Sequence, residues 1–188
     1  MNFRCFIAIE IPDQIRKEIG VLVDSLKKYD ADIKWIPPEN LHVTLKFLGS
    51  TPENLLPGIN DALSAMVSSY APFYIKIVDT GVFPDRRNPR VCWIGIEDSG
   101  RLKTLQADVD NSTKLFGFKP EDREFRPHLT IGRVRSRQGM ISIVNELDRQ
   151  KGYTFGSFMV DNLRIMKSDL KPKGAEYTCL YEVSFEKK

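Results

Sequence analysis

Hydrophobic and polar positions follow two different periods along the chain, which indicates a mixture of strands and helices. A mainly apolar stretch over residues 3–11, unbroken from Cys5 to Ile9, is typical of a buried strand. Pro12 then begins a segment whose apolar residues recur at helical spacing, so an amphipathic helix is expected. Alternation over residues 41–48 predicts a half-buried strand, and further elements are expected as a helix over 52–69 and strands over 73–78 and 91–96.

The second half of the sequence repeats this order of elements at a shift of 86 residues. The strand at 3–11 falls on 89–97, and the strand around His42 falls on the strand around His128. Residue identity across the shift is low, so the match is one of element order, and a chance register of strands and helices stays open. A duplication predicts an α+β fold with two pseudo-symmetric lobes, approximately 1–88 and 89–188, each a mainly antiparallel sheet with helices. The active-site cleft is expected between them.

The chain has two histidines, and each is followed two residues later by threonine, in His42-Val43-Thr44 and His128-Leu129-Thr130. Because residues i and i+2 of a strand point to the same side, each strand presents an imidazole and a hydroxyl together. The same alternation places Lys46 beside the first pair and Arg126 beside the second.

Two imidazoles, two hydroxyls and nearby cations suit chemistry on a phosphoester. One imidazole can take a proton from an attacking oxygen while the other protonates a leaving oxygen. Threonine hydroxyls can donate to phosphoryl oxygens as charge builds, and Lys46, Arg126 or Arg133 could supply positive charge. Two histidines without a convergent carboxylate or thiolate offer too few ligands for zinc, so neither a metal nor another cofactor is expected. A GxSxG nucleophile motif is absent, and no cysteine lies near either histidine in the sequence.

Composition narrows the class of protein further. The 188 residues carry a net charge of +3, which allows an anionic ligand but does not resemble a coat for long nucleic acid. The three scattered cysteines are Cys5, Cys92 and Cys179. Each lies in an apolar run, so each is expected to be a small core residue. Scattered cysteines also predict a cytoplasmic location. The first apolar stretch stops at Glu10, so a signal peptide is not expected, and no run approaches the ~18 apolar residues of a spanning helix.

Five blocks, in order, resemble the 2H phosphoesterase superfamily, and within it the RNA 2′,3′-cyclic phosphodiesterase branch, historically called the 2′-5′ RNA ligase family. The blocks extend through most of the chain, as RCFIAIEIP, WIPPENLHVTLKFLG, GVFPDRRNPRVCWIGI, FRPHLTIGR and LRIMKSDLKPKGAEYTCLYEVSF. The resemblance implies metal-independent hydrolysis of a terminal 2′,3′-cyclic phosphate to a 2′-phosphomonoester. It implies that His42 is the proton donor, His128 the proton acceptor, and that Thr44 and Thr130 hold the phosphate. Reverse 2′-5′ joining of RNA ends is implied too.

Two more positions match substrate contacts of that family: Phe47 for base stacking and Arg133 for the phosphate. Strict alternation puts both on the apolar side of their strands, opposite the histidines. Either the strands end or bulge there, which Gly49 and Gly132 would permit, or these residues serve elsewhere. The loop arginines Arg86, Arg87 and Arg90 are either a solvated turn or a contact to the RNA backbone.

The resemblance implies RNA with 2′,3′-cyclic phosphate ends as the substrate, tRNA fragments among the candidates. A mechanism in a single cleft needs only a monomer, and neither a membrane nor an obligate protein partner is expected. A second hypothesis keeps the chemistry but takes a small cyclic nucleotide or ADP-ribose cyclic phosphate as substrate. A third is a non-catalytic module that binds RNA ends, and the intact histidines and threonines argue against it.

Overall fold

The computed structural model describes residues 1–121, 124–172 and 174–185. These residues form two antiparallel sheets and four α-helices. The strands are β1 (Asn2–Glu10), β2 (Ile33–Trp35), β3 (His42–Pro52), β4 (Phe73–Phe83), β5 (Val91–Glu97), β6 (His128–Val134), β7 (Thr154–Val160), β8 (Asn162–Lys171) and β9 (Gly174–Ser184). The helices are α1 (Asp13–Leu26), α2 (Leu56–Val67), α3 (Arg101–Lys114) and α4 (Met140–Arg149).

Each sheet carries two helices, which confirms the two-lobed α+β fold. The first sheet has the order β3-β1-β8-β9, and α2 and α3 pack on it. The second has the order β2-β6-β5-β4-β7, and α1 and α4 pack on it. The lobes therefore do not coincide with residues 1–88 and 89–188, because β2 and β4 lie in the second sheet while β8 and β9 lie in the first. Local sequence patterns do not encode which distant strands will pair.

The predicted elements form where the apolar pattern places them, with shifted ends. In β1 the run from Cys5 to Ile9 is buried, as expected for a strand covered on both faces. At the shift of 86 residues, the strand at 73–78 falls on the stretch over 158–166, which is two strands, since β7 ends at Val160 and β8 begins at Asn162. Cys179 is exposed, so the prediction of a core cysteine is wrong there. Within the described part of the chain, no helix is both long and apolar enough to cross a membrane.

A β-bulge interrupts each of the two motif strands at the same place. Between β1 and β3 the register skips Leu45, and between β5 and β6 it skips Ile131. These two residues are 86 positions apart, so the bulges follow the shift that relates the two motifs. An extra residue reverses the side to which the following residues point. Position 132 then faces inward against β2, where a Cβ on Gly132 would lie 2.7 Å from Ile33 Cγ2.

Candidate active site

The first imidazole is held at the start of β3 by its own backbone. His42 Nδ1 lies 2.8 Å from the carbonyl oxygen of Asn40. A carbonyl oxygen only accepts, so Nδ1 carries the proton and donates it, which leaves Nε2 available for proton transfer. Asn40 is fixed in turn, because its Nδ2 donates to the carbonyl oxygen of Ala175 at 2.8 Å.

The second imidazole is held in the same way at the start of β6. His128 Nδ1 donates to the carbonyl oxygen of Arg126 at 2.7 Å. Asn40 and Arg126 are themselves 86 positions apart, so the two anchors match as the two motifs do. Each imidazole also has an aromatic neighbour: Phe6 stands 4.7 Å from His42 and Phe83 stands 5.1 Å from His128, between ring centroids. Both rings are thus oriented before any substrate binds.

The two threonines are half-buried beside these histidines. Within the described ranges, neither the Thr44 nor the Thr130 hydroxyl has a hydrogen-bond partner, whereas those of Thr80 and Thr113 donate to backbone carbonyls. The Thr44 and Thr130 hydroxyls are therefore free to donate to a ligand.

The two motif strands lie next to each other, and we call the side of each that carries its histidine and threonine the cleft face. Strands β3 and β6 contact each other although they belong to different sheets. Arg133 on β6 is near enough to act on two side chains of the other sheet. Burial lowers the pKa of His42 on β3 and the positive charge of Arg133 lowers it further, whereas burial raises the pKa of Tyr177 on β9 and Arg133 opposes that rise. The structure therefore brings the two motif strands together, and a single site formed by both His-x-Thr pairs stays a prediction.

Burial sets the protonation of His42. Desolvation lowers the pKa of this imidazole below its ordinary value of 6.5, and the positive charges of Arg16 and Arg133 lower it further. The hydrogen bond to Asn40 opposes the shift without cancelling it. In the absence of an anionic ligand, His42 is therefore mainly neutral at pH 7.

The bulges turn Phe47 and Arg133 to the cleft face of their strands. Phe47 is 57% exposed, and its ring stands 6.3 Å from Phe6, the neighbour of His42. Arg133 is exposed rather than buried. Of the two arrangements that the sequence allows for these residues, the bulge is the one that forms, at Leu45 and Ile131. A second register shift in β3 skips Leu48, beside Gly49.

The same bulge turns Lys46 away from the cleft, so the prediction that it faces the substrate is wrong. The side chain is 1% exposed and forms an ion pair with Asp110. Its Nζ also donates to the carbonyl oxygen of Lys119 at 2.7 Å. Asp110 completes the cluster by accepting hydrogen bonds from Gln106 Nε2 and from the backbone N–H of Glu121. Lys46 is therefore a buried structural cation.

The remaining predicted contacts are exposed arginines that lie outside the two motif strands. Arg126 precedes β6, and its exposed side chain has Nε 3.7 Å from a carboxylate oxygen of Glu124. Of the three exposed loop arginines, Arg86 pairs with Asp148 on α4, which favours the structural interpretation for that residue. Within the described residues, no three histidine, cysteine, aspartate or glutamate side chains group together as metal ligands.

Sequence patterns missed the aromatic residues around the histidines. Tyr177 stands edge-on to His42 at 5.3 Å, and Phe83 stacks on Trp93 at 5.1 Å beside His128. Tyr177 is 135 residues from His42 in sequence, and no local pattern indicates that β9 and the start of β3 meet. Phe6 lies in a wholly apolar run, which conceals the face to which it points.

The fold and the paired His-x-Thr strands define a two-histidine phosphoesterase architecture. A model of the 2′-5′ RNA ligase superfamily matches residues 11–172. The chain belongs to this superfamily.

Several relatives and solved structures are similar to this chain along nearly its whole length. The chain is 37% identical over 181 residues to an RNA 2′,3′-cyclic phosphodiesterase of Methanothermobacter thermautotrophicus, covering 95% of this chain and 96% of that protein. It is 32% identical over 184 residues to one of Thermotoga maritima, covering 97% and 96%. A crystal structure from Thermus thermophilus superposes with a TM-score of 0.79 at 30% identity, covering 98% of this chain and 99% of that one. Escherichia coli LigT shares the fold, with a TM-score of 0.75 at 24% identity and the same coverage.

Proposed function

We propose that this protein is an RNA 2′,3′-cyclic phosphodiesterase that opens a terminal cyclic phosphate to a 2′-phosphomonoester without a metal ion. The observation that carries the proposal is the matched pair of imidazoles, each with Nδ1 hydrogen-bonded to a backbone carbonyl. Among the residues that the structure describes, neither Nε2 nor the neighbouring threonine hydroxyl has a hydrogen-bond partner. The relatives named as RNA 2′,3′-cyclic phosphodiesterases support the same reaction class.

In the proposed reaction, His128 and His42 act on opposite sides of the phosphorus atom. His128 Nε2 takes a proton from water, and the water oxygen forms a bond to phosphorus. The bond from phosphorus to the 3′-oxygen breaks on the opposite side, and His42 donates its Nε2 proton to that oxygen. Placing acid and base on strands of different lobes suits such an in-line displacement.

The neighbouring residues stabilise the phosphoryl group and the terminal base. Thr44 and Thr130 donate to the non-bridging oxygens, where negative charge increases in the transition state, and Arg133 adds positive charge. Phe47 offers an exposed ring on which the terminal base stacks. Arg126 acts chiefly through the carbonyl that holds His128, and its exposed side chain can reach the RNA from the rim.

The same site can join RNA ends through a 2′-5′ bond. If a 5′-hydroxyl replaces water, His128 takes its proton, the 5′-oxygen bonds to phosphorus, and the 3′-oxygen leaves with a proton from His42. Cleavage of that 2′-5′ bond is the reverse reaction, in which acid and base exchange roles. Ligation therefore requires no residue beyond those of hydrolysis. A monomer in the cytoplasm suffices for either direction.

The direct test uses a short RNA with a 2′,3′-cyclic phosphate end, incubated with protein and EDTA. The expected product carries a 2′-phosphate, and its rate of formation is insensitive to the chelator. A 3′-phosphate product would overturn the assignment of the 3′-oxygen as leaving group. Absence of turnover, or turnover only with added metal, would overturn the proposed reaction. The variants His42→Ala and His128→Ala, prepared identically, control for contaminating nucleases.

A further inference from the structure

Beyond the cyclic-phosphate site, the cleft face of the second sheet continues into three basic residues, which we call the basic track: Arg133, Lys34 and Arg135. Lys34 on β2 is the register partner of Arg133 on β6. Partners across an antiparallel pair point to the same side, so both side chains share one face. Thr130 lies on that face as well. Because Ile131 is an extra residue in β6, Thr130 and Arg133 point to the same side although they are three positions apart. The track therefore begins beside the phosphate site.

Arg135 extends the track beyond the end of β6. Its backbone N–H donates to the carbonyl oxygen of Asp32 at 2.9 Å, which continues the pairing with the β2 segment. Exposure alternates along this stretch, with Arg133 and Arg135 exposed and Val134 packed against the core. Arg135 thus points to the same side as Arg133, about 6.5–7 Å further along.

The cations of the track have no internal use. All three side chains are exposed. In the described ranges, no carboxylate lies within ion-pair distance of Lys34, Arg133 or Arg135. Other arginines of the chain do have such partners: Arg149 pairs with Glu146, and Arg164 pairs with Glu182. Three aligned, unpaired cations create a local positive potential that favours an extended anion.

The spacing of the track fits a single-stranded nucleic acid. Residues i and i+2 of a strand are separated by a distance of the same order as that between successive phosphates of an extended single strand. Arginine can bind a phosphate through two parallel hydrogen bonds, and lysine adds a point charge. A terminal phosphate at Thr130 and Arg133 would therefore direct the preceding phosphodiester toward Lys34 and Arg135.

We propose that the basic track binds the phosphodiesters immediately 5′ of the cyclic end, so that the protein selects RNA strands over cyclic mononucleotides. This proposal rests on the proposed function, because it takes the cyclic phosphate to lie between the two motifs. It differs from the alternative of a small cyclic nucleotide substrate, which would leave Arg135 and Lys34 unused.

The test compares two substrates that share the reactive end: a nucleoside 2′,3′-cyclic phosphate and an octamer RNA that ends in the same nucleotide. The wild-type protein should show the higher kcat/KM with the octamer. Arg135→Gln and Lys34→Gln should each raise KM for the octamer roughly 3- to 10-fold, while turnover of the mononucleotide stays unchanged. Lys114→Gln is the matched control, since this exposed lysine lies on α3, in the helical layer of the other sheet. It should change neither substrate.

Salt dependence gives a second measurement. For single strands, log affinity falls with log salt concentration by about 0.7 for each phosphate that the protein neutralises. Arg135→Gln should therefore flatten the octamer slope by about 0.7, and Lys114→Gln should leave it unchanged.

The outcomes separate the two proposals. Equal kcat/KM for both substrates, or Arg135→Gln and Lys34→Gln indistinguishable from Lys114→Gln, would overturn the basic track and leave the cyclic phosphodiesterase function intact. If the wild-type protein hydrolyses neither substrate, the function fails. The track is then judged by binding of the octamer with a 2′-phosphate end. Weaker binding by Arg135→Gln supports the track, and unchanged binding overturns it.

Discussion

The two imidazoles that we propose as acid and base share one kind of anchor but have different surroundings. His42 packs against Phe6 and Tyr177, which also contact each other, and Arg16 and Arg133 are near enough to act on its charge. These surroundings lower its pKa and leave the free protein with a neutral His42 at pH 7. A proton donor must be protonated. In the proposed reaction, the bound phosphoryl anion therefore has to stabilise the protonated form of His42, which the protein alone disfavours. An anion beside an imidazole stabilises the charged form and raises its pKa.

We therefore expect the pKa of His42 to lie below 6.5 in the free protein and to rise when a 2′-phosphorylated nucleotide binds. NMR titration of the imidazole protons measures this directly, because the chain has two histidines and His128→Ala assigns the signals. Arg133→Gln should raise the free-state pKa of His42, since it removes a positive charge. A free-state value at or above 6.5, or a fall on binding, would contradict this assignment of the proton donor.

At the scale of the element, the two bulges decide which side chains face the substrate. Strict alternation correctly places His42 with Thr44 and His128 with Thr130, because these residues precede the bulges. It fails at Lys46, since Leu45 is the extra residue. A bulge depends on the register with a partner strand distant in sequence, so the motif strand alone does not specify it. Glycine at position 132 is the one local signal of a close approach.

Stability measurements test the structural role of Lys46. Lys46→Met leaves the buried carboxylate of Asp110 without its cation, which should reduce the free energy of unfolding by about 3–5 kcal/mol. The double variant Lys46→Met/Asp110→Asn removes both charges and keeps acceptors for Gln106 and Glu121, so most of the loss should be recovered. Urea denaturation provides the measurement, with exposed Lys114→Met as the control.

If Lys46 instead bound substrate, the double variant would regain stability but keep a raised KM. We expect its KM to return close to the wild-type value once the fold is restored. If Lys46→Met reduced the free energy of unfolding as little as Lys114→Met does, the buried ion pair itself would be contradicted.

At the scale of the whole molecule, the chain brings the two motif strands together by passing between two sheets. It crosses at β1 to β2, β2 to β3, β3 to β4, and β7 to β8. Each lobe therefore contains strands from both halves of the sequence, and each supplies one His-x-Thr pair. Periodicity and the repeated order of elements predict two lobes and one cleft. They do not predict the exchange of strands, because strand pairing is decided by packing between distant segments.

The assignment of the proton donor to one lobe and of the proton acceptor to the other can be tested by replacing one atom of the substrate. In a cyclic phosphate with sulfur in place of the 3′-oxygen, the leaving group departs as a thiolate and does not need a proton donor. On the ordinary substrate, His42→Ala and His128→Ala should each lose roughly 10²- to 10⁴-fold in kcat. The isomer with sulfur at the 2′ position is the matched control, because its leaving atom is still oxygen.

The decisive measurement is the single-turnover rate of both variants on the 3′-sulfur substrate. His42→Ala should recover most of its lost rate, because the step that it can no longer assist has become easy. His128→Ala should stay slow, because water still needs a base. Recovery by His128→Ala instead would exchange the two roles. Recovery by neither variant would contradict acid–base catalysis by the two histidines.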